Sequence, residues 1–338
     1  AENITLPSPH ARQSLDCYQK RYPTEGLLSM DITTRLAGNE VVIIDGAMGT
    51  ELQRREVPLD FEIWSASALL THPEVIRDIH VDYLRAGAEI QIAATYNTTP
   101  HVINPSSFKT SSQELTKTAF RLVREGIDEV EPAHPVWVAG SISTTVESRR
   151  KEMLDVSMLR DSYTEHAQTL AEQGCDLLML EMMLTHDFAM DLDFQCEIAA
   201  IAKQTGLPVW AGIALTRAES GTLHLQDGTE ESGEALKAGI KALLSEGVDV
   251  AGIMHSEVEA TLPALDLLKD YWSGPVAVYP NSGRYKRPHW YFDSIIEPER
   301  FATAARQWAQ RGVKAIGGCC GLGPEHISEL SKALGRLS

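Results

Sequence analysis

Two adjacent cysteines, Cys319 and Cys320, are the residues of this chain that most clearly indicate a chemical function. They lie between Gly317-Gly318 and Gly321, where the backbone bends freely. Two neighbouring thiolates with one more nitrogen or sulfur ligand hold Zn²⁺ and leave its fourth position open to a substrate. The alternative is that both are small buried residues, since free cysteine is often buried. Their position between glycines, at the end of a predicted strand, favours the metal site.

A histidine that follows another apolar run is the best candidate for the third ligand. His255 comes directly after the run 250–254, and imidazole nitrogen is a common zinc ligand. A lone histidine in such a place also serves as a hydrogen-bonded core or surface residue, and that alternative stays open. The weaker candidates are His186, His224, His289 and His326.

Two acids also follow apolar runs. One role for Asp45 and Glu181 is to bind a substrate ammonium group through their carboxylates. The commoner role of such acids is a salt bridge or a helix cap. The glycines of segment 45–49 do not form a GxGxxG or GK[ST] pattern, so we expect no nucleotide there.

Eight short apolar runs, each followed by a longer segment with helical spacing, must position these side chains. Their apolar residues are nearly continuous, which is typical of parallel strands covered on both faces. We predict strands at 41–45, 89–94, 136–140, 177–181, 208–214, 250–254, 276–280 and 314–318. Eight βα units predict the α/β class and a single (β/α)₈ (TIM) barrel over 39–338, with 1–38 as an N-terminal extension. An open doubly wound sheet is the alternative.

The predicted helices carry recognisable start and stop residues. Segments 71–74 and 256–259 resemble capping boxes, and Gly323-Pro324 is typical of a helix start. Glycines that end helices just before a strand are Gly87, Gly174, Gly247 and Gly312.

In a (β/α)₈ barrel the loops after the strands build the active site. We therefore expect the residues at these points to lie on one face. They are Asp45, Gly46, Thr95, Glu181, His255, Asn281, Cys319 and Cys320.

Charge and composition exclude several other classes of protein. The net charge of −17, from 30 basic and 47 acidic side chains, disfavours nucleic acid and anionic membranes as partners. No apolar run approaches the roughly 20 residues that span a bilayer, and the first 20 residues do not resemble a signal peptide. The five cysteines are an odd number in a long chain, which favours a reducing cytoplasm over a disulfide scaffold.

Six segments, taken in order, resemble the homocysteine S-methyltransferase family, whose members are zinc-dependent barrels that methylate a thiol. The segments are DGAMGTELQRR (45–55), ATYNTTP (94–100), LLMLEMM (177–183), GTLHLQDGT (221–229), VYPNSGRY (278–285) and AIGGCCGLGPEHI (315–327). The first and the last are the most specific, and the resemblance covers nearly everything after residue 40.

The resemblance implies roles for individual residues. Cys319 and Cys320 would be zinc thiolates, and Asp45, Gly46 and Glu181 would face the amino-acid end of the thiol substrate. Thr95 would lie nearby, and we also assign Asn281 to substrate binding. The implied ligands are a small thiol amino acid and a methyl donor.

One departure from the family pattern concerns the end of the sixth strand. The family normally has an Asn-Cys pair there, whose cysteine is the third zinc ligand, whereas this chain has Met254-His255. In one interpretation His255 replaces the thiolate and gives a His-Cys-Cys site, which suits zinc. In the other, zinc is lost or replaced and the barrel binds a small amino-acid-like ligand without methyl transfer.

The first interpretation predicts a methyltransferase that makes methionine from homocysteine. Coordination to zinc deprotonates a thiol, whose ordinary pKa is about 8.5, and holds the thiolate for attack on a methyl group. The donor would be a sulfonium or a quaternary ammonium compound held by aromatic faces. Segment 61–66 is more like the S-methylmethionine-using branch than the betaine-using one. Another acceptor or donor, such as a selenol or dimethylsulfoniopropionate, stays open. Aromatic candidates for the donor site are Trp64, Tyr96, Tyr285, Trp290 and Tyr291.

Overall fold

Eight parallel strands form a barrel in the computed structural model, which describes residues 31–144, 155–185, 192–218, 220–225, 233–286 and 289–337. The strands are β1 (Val42–Ile43), β2 (Ile90–Ile92), β3 (Trp137–Ser143), β4 (Leu177–Met183), β5 (Val209–Ile213), β6 (Leu215–Arg217), β7 (Leu223–Leu225), β8 (Val250–Glu257), β9 (Val276–Asn281), β10 (Arg284–Lys286), β11 (His289–Tyr291) and β12 (Ala315–Ile316). Two antiparallel hairpins, β6–β7 and β10–β11, stand outside the barrel.

The barrel strands follow the order β1-β12-β9-β8-β5-β4-β3-β2, and a parallel bridge between Ile44 and Ile90 joins β1 to β2. All eight predicted strands are confirmed, and the closure rules out the open doubly wound sheet.

Helices follow most of the barrel strands and cover them from outside. They are α1 (Ile32–Ala37), α2 (Met48–Arg54), α3 (Ala68–Thr71), α4 (Pro73–Arg85), α5 (Pro100–Ile103), α6 (Ser112–Val130), α7 (Val156–Glu172), α8 (Leu192–Lys203), α9 (Gly233–Ser245), α10 (Val258–Leu268), α11 (Pro298–Gln310) and α12 (Pro324–Ala333). In the part of the chain that the structure describes, no helix is both long and apolar enough to cross a membrane.

The predicted helix starts and stops are confirmed, but the predicted capping residues of two helices, Thr71 and Ser256, are wrong. All four helix-ending glycines have positive φ, between 73° and 95°, and α12 begins at Pro324 after Gly323. Thr71 instead ends α3, and His72 precedes α4 without a side-chain cap. Ser256 belongs to β8, where its hydroxyl accepts from the Leu215 amide at 2.9 Å. The Thr71 hydroxyl donates to the Ser67 carbonyl in its own helix, and that of Ser256 bonds to β6, so neither caps the helix that follows.

The amino-terminal end of the barrel is closed by α1, although its residues fall within the predicted extension. Ile32 and Leu36 are buried with the side chains that fill the barrel interior. Arg35 pairs with Glu89, just before β2, at 2.9 Å. Burial of two such apolar side chains contributes about 1.5–3 kcal/mol each. The polar side chains singled out in the sequence lie at the other end of the barrel, where the strands finish.

Candidate active site

The first and last strands bring their two glycine-rich segments together. β1 and β12 pair in parallel, with Val42 opposite Ala315, so segments 45–50 and 317–323 leave the sheet side by side. A Cβ on Gly317 would lie 2.6 Å from the Asp45 carbonyl oxygen, and one on Gly46 would lie 2.6 Å from that of Leu322. The backbones approach so closely that only glycine fits at these positions.

Backbone hydrogen bonds hold the cysteine loop in place. The Cys319 amide donates to the Pro280 carbonyl at 2.7 Å, and the Ser282 amide donates to the Cys320 carbonyl at 2.9 Å. Gly321, with φ of 85°, donates to the Thr50 hydroxyl at 3.0 Å and accepts from the Arg54 guanidinium at 2.8 Å. We call this loop, with its partners on β1–α2 and β9, the cysteine side of the site.

The two thiols are neighbours, as the sequence predicts. The Cys319 thiol donates to Cys320 Sγ at 3.9 Å, and both cysteines are free of disulfides. That hydrogen bond, together with burial, raises the pKa of Cys319 well above its ordinary value. A cation bound between the sulfurs would favour the thiolate instead.

Opposite the cysteines, three buried polar side chains form a connected row. Glu181 Oε2 lies 2.7 Å from His255 Nε2, while the Ser141 hydroxyl donates to Glu181 Oε1. The Asn281 amide donates to the His255 carbonyl at 3.1 Å, and His255 adopts a left-handed backbone, with φ of 53°. Ser141, Glu181 and His255 lie on β3, β4 and β8, and we call them the histidine side.

The two sides meet at one point. One ligand atom each from Glu181, His255 and Cys319 lies within 4.8 Å of the others, and Cys320 Sγ is next to that of Cys319. The fold therefore brings two of the predicted metal ligands, His255 and Cys319, into one cluster, and the third, Cys320, contacts Cys319. An imidazole nitrogen and two sulfurs are a donor set that Zn²⁺ accepts.

Asp45 is buried beside the cysteine side. Its carboxylate accepts from the Ile92 amide at 2.8 Å and from the Tyr279 hydroxyl at 3.4 Å, and Tyr279 also donates to the Gly46 carbonyl at 3.0 Å. Burial raises the pKa of Asp45 well above its ordinary value, and the charge of Glu181 adds to the increase. A cationic ligand beside Asp45 would lower its pKa again, because an opposite charge favours the carboxylate. Tyr279 was not singled out in the sequence because it sits inside an apolar run.

Thr95 and Asn281 have different surroundings. The Thr95 hydroxyl donates to the Ser141 carbonyl at 3.0 Å and accepts from the Ser141 amide at 2.9 Å, so it ties β2 to β3. Asn281 Oδ1 is buried and has no hydrogen-bond partner among the described residues. The same holds for Asn97 Oδ1 and Trp64 Nε1. Unpartnered buried atoms also occur away from the site, at His80 Nε2 and Trp308 Nε1, so these three are candidate partners of a polar ligand only because they lie near the ends of the barrel strands.

An aromatic row leads away from His255. Tyr96 lies 6.0 Å from the His255 ring and 5.9 Å from Trp64, measured between ring centroids, and Tyr279 lies 6.4 Å from His255. Of the other aromatic candidates, Trp290 donates to the Ser282 carbonyl at 2.9 Å and Tyr291 is exposed. The side chain of Tyr285 lies outside the described residues.

The weaker histidine candidates do not join the cluster in the part of the chain that is described. His326 accepts from the Gly323 amide and donates to the Ile296 carbonyl at 2.8 Å, so it closes the start of α12. His224 lies in the β6–β7 hairpin and His289 in the β10–β11 hairpin. His186 lies outside the described residues.

Known proteins resemble this chain over most of its length. The model of the homocysteine S-methyltransferase family matches residues 42–334. The homocysteine S-methyltransferase of Escherichia coli K12 is 30% identical over 313 residues, which cover 86% of this chain and 94% of that protein. The selenocysteine methyltransferase of Astragalus bisulcatus is 26% identical, and the match covers 86% of this chain and 92% of that protein. The metallated crystal structure of the Escherichia coli homocysteine methyltransferase MmuM superposes with a TM-score of 0.68 at 28% identity, covering 88% and 97% of the two chains.

Proposed function

The chain belongs to the homocysteine S-methyltransferase family, and from that premise we propose that it transfers a methyl group to the thiol of homocysteine, giving methionine. The observation that carries the proposal is that His255 and Cys319 meet at the carboxyl ends of the strands, with the Cys320 sulfur beside that of Cys319. The selenol of selenocysteine is the second candidate acceptor, because one relative with a similar extent of match is a selenocysteine methyltransferase.

We propose zinc as the metal, held by His255, Cys319 and Cys320. The residues present fit it, because two sulfurs and an imidazole nitrogen complete three of four tetrahedral positions. A bound zinc ion would act as a Lewis acid that favours the thiolate form of the substrate at neutral pH. The free thiols at the site need a reducing compartment, so we propose a cytoplasmic location.

The chain's own residues orient the amino acid. In our proposal Asp45 and the Gly46 backbone face its amino group, and the unpartnered Asn281 Oδ1 accepts from the same group. Thr95 supports these residues by fixing β2 against β3. In this proposal the substrate sulfur would point towards the cysteines, which is the geometry that methyl transfer requires.

The methyl donor is the second ligand, and we assign it to the aromatic row. The faces of Trp64 and Tyr96 favour a cationic sulfonium or quaternary ammonium group over a neutral one. Trp64 Nε1 has no partner among the described residues and would bind an anionic end of the donor, such as a carboxylate. The low polarity of the aromatic row favours a reaction in which the positive charge of the donor is neutralised.

Metal analysis combined with methyl-transfer assays tests the proposal. We expect about one zinc per chain and transfer from S-methylmethionine to homocysteine, with betaine and selenocysteine as competing donor and acceptor. Cys320→Ser should lose zinc and lower the rate by more than about 100-fold, since a ligand matters more than its supporting contacts. Cys196→Ala, at a buried cysteine outside the site, should keep both zinc and activity.

Two results would contradict the proposal separately. Transfer by protein freed of zinc would overturn the metal assignment, and zinc-loaded protein that transfers no methyl group with any of these pairs would overturn the reaction.

A further inference from the structure

Glu181 has both carboxylate oxygens engaged by its own chain. Oε1 accepts from the Ser141 hydroxyl, and Oε2 lies 2.7 Å from His255 Nε2. The relative exposure of these three residues is 0%, 4% and 7% in the order Ser141, Glu181, His255, so the contacts are shielded from competing water. Shielded hydrogen bonds to a carboxylate are stronger and better oriented than exposed ones.

The contact with Glu181 decides which nitrogen of His255 is free. A carboxylate accepts a proton from Nε2–H, and in a neutral imidazole the lone pair then lies on Nδ1. Nδ1 is the ring nitrogen that Glu181 does not engage, and one nitrogen of the same ring lies within 4.8 Å of Cys319 Sγ. Metal-binding histidines commonly have this arrangement, with one nitrogen held by a carboxylate and the other on the metal.

We propose that Glu181 is a positioning residue that fixes the tautomer and ring orientation of His255 for the metal, with Ser141 fixing Glu181 in turn. The inference rests on the proposed zinc site and differs from the role in binding the substrate ammonium that the family resemblance implies. It is particular to a chain with histidine at position 255, because a cysteine ligand has no tautomer to fix. Asp45, the Gly46 backbone and Asn281 would then recognise the amino group of the substrate.

Zinc affinity in two backgrounds tests the inference. Affinity is measured by competition with a chromophoric chelator for the parent, Glu181→Ala and Glu181→Gln, each also combined with His255→Cys. We expect Glu181→Ala to weaken zinc binding about 10–100-fold in the parent background. Glu181→Gln should lose much less, because its amide oxygen still accepts from Nε2–H. In the His255→Cys background neither change should matter.

Two serines of β3 supply a matched control. Ser141→Ala removes the hydroxyl that holds Glu181 and should weaken zinc binding. Ser143→Ala removes a buried hydroxyl that donates to the Tyr96 carbonyl at 2.7 Å and should leave zinc affinity unchanged. Ring-nitrogen NMR of metal-free protein gives an independent readout, since His255 should be an Nε2–H tautomer in the parent and lose that preference in Glu181→Ala.

The outcomes separate this inference from the proposed function. An unchanged zinc affinity in Glu181→Ala, with a raised KM for homocysteine, would overturn the inference in favour of the ammonium role. An equal loss in the His255→Cys background would make Glu181 a direct ligand or a structural residue. A parent that binds no zinc would overturn the metal assignment, while the NMR tautomer would still decide whether Glu181 positions His255.

Discussion

The two sides of the site are held by different kinds of contact. On the cysteine side the contacts come from the backbone. The Cys319 amide bonds to the Pro280 carbonyl, the Cys320 carbonyl to the Ser282 amide, and the Gly321 amide to the Thr50 hydroxyl. On the histidine side, the carboxylate of Glu181 holds the imidazole of His255, and the hydroxyl of Ser141 holds the carboxylate. The first arrangement depends on how closely two segments of backbone approach, whereas the second depends on the identity of three side chains.

The contrast predicts which substitutions each side accepts. Backbone contacts survive most side-chain changes but not an added Cβ, because glycine is required where segments nearly touch. On the histidine side, replacing one side chain removes a partner of the next. Met254-His255, where this chain departs from the family pattern that it resembles, lies on the side that depends on side-chain identity.

The largest expected effect comes from substitutions of His255 on the histidine side. His255→Ala should weaken zinc binding, because only two protein ligands remain, and methyl transfer to homocysteine should fall with it. His255→Cys should keep zinc and activity, since a thiolate is a softer and more negative ligand. Chelator competition and transfer rates measure both. If all three proteins bind zinc and react alike, His255 is a bystander and the histidine side has no part in the metal site.

A stability measurement sharpens the account of the cysteine side. Gly321 has φ of 85°, and a Cβ there would overlap the Ser282 carbonyl oxygen, so Gly321→Ala should cost about 3 kcal/mol of unfolding free energy. Gly312 has φ of 88° with nothing within 4 Å of the added Cβ, so Gly312→Ala should cost only about 1 kcal/mol. Urea unfolding of both variants gives the difference. Equal losses would mean that backbone conformation alone matters and close approach does not.

The smallest expected effect concerns Asp45, which is buried beside the cysteine side. Burial and the nearby Glu181 raise the pKa of Asp45, so above an ordinary aspartate pKa of about 3.9 the folded protein keeps a proton that the unfolded chain releases. The parent therefore loses stability as the pH rises through this range. Asn cannot titrate, and its carbonyl can still accept from the Ile92 amide. Asp45→Asn should gain stability over the parent as the pH rises above about 4, and a difference independent of pH would contradict this explanation.

Much of the cysteine side could be predicted from the sequence, and little of the histidine side. The glycines around Cys319 and Asp45 mark close backbone approach directly, and the eight apolar runs determine which ends meet. The bond between Glu181 and His255 has no such signal, because it joins residues 74 positions apart through side chains alone. The capping boxes failed for a related reason, since a hydroxyl such as that of Ser256 takes whichever partner the packed neighbours offer.

The hydrogen bonds of the cysteine loop also determine when the site can form during folding. Gly321 bonds to Thr50 across 271 positions of sequence, and β12 is the last of the eight barrel strands to be synthesised. Contacts of such long range form only after most of the loop-closure entropy has been lost, which makes them late and slow. The two thiols therefore reach their final positions only when the first and last strands pair. Before that pairing the barrel buries neither thiol, so both are open to oxidation in the unfolded chain and a reducing environment protects them.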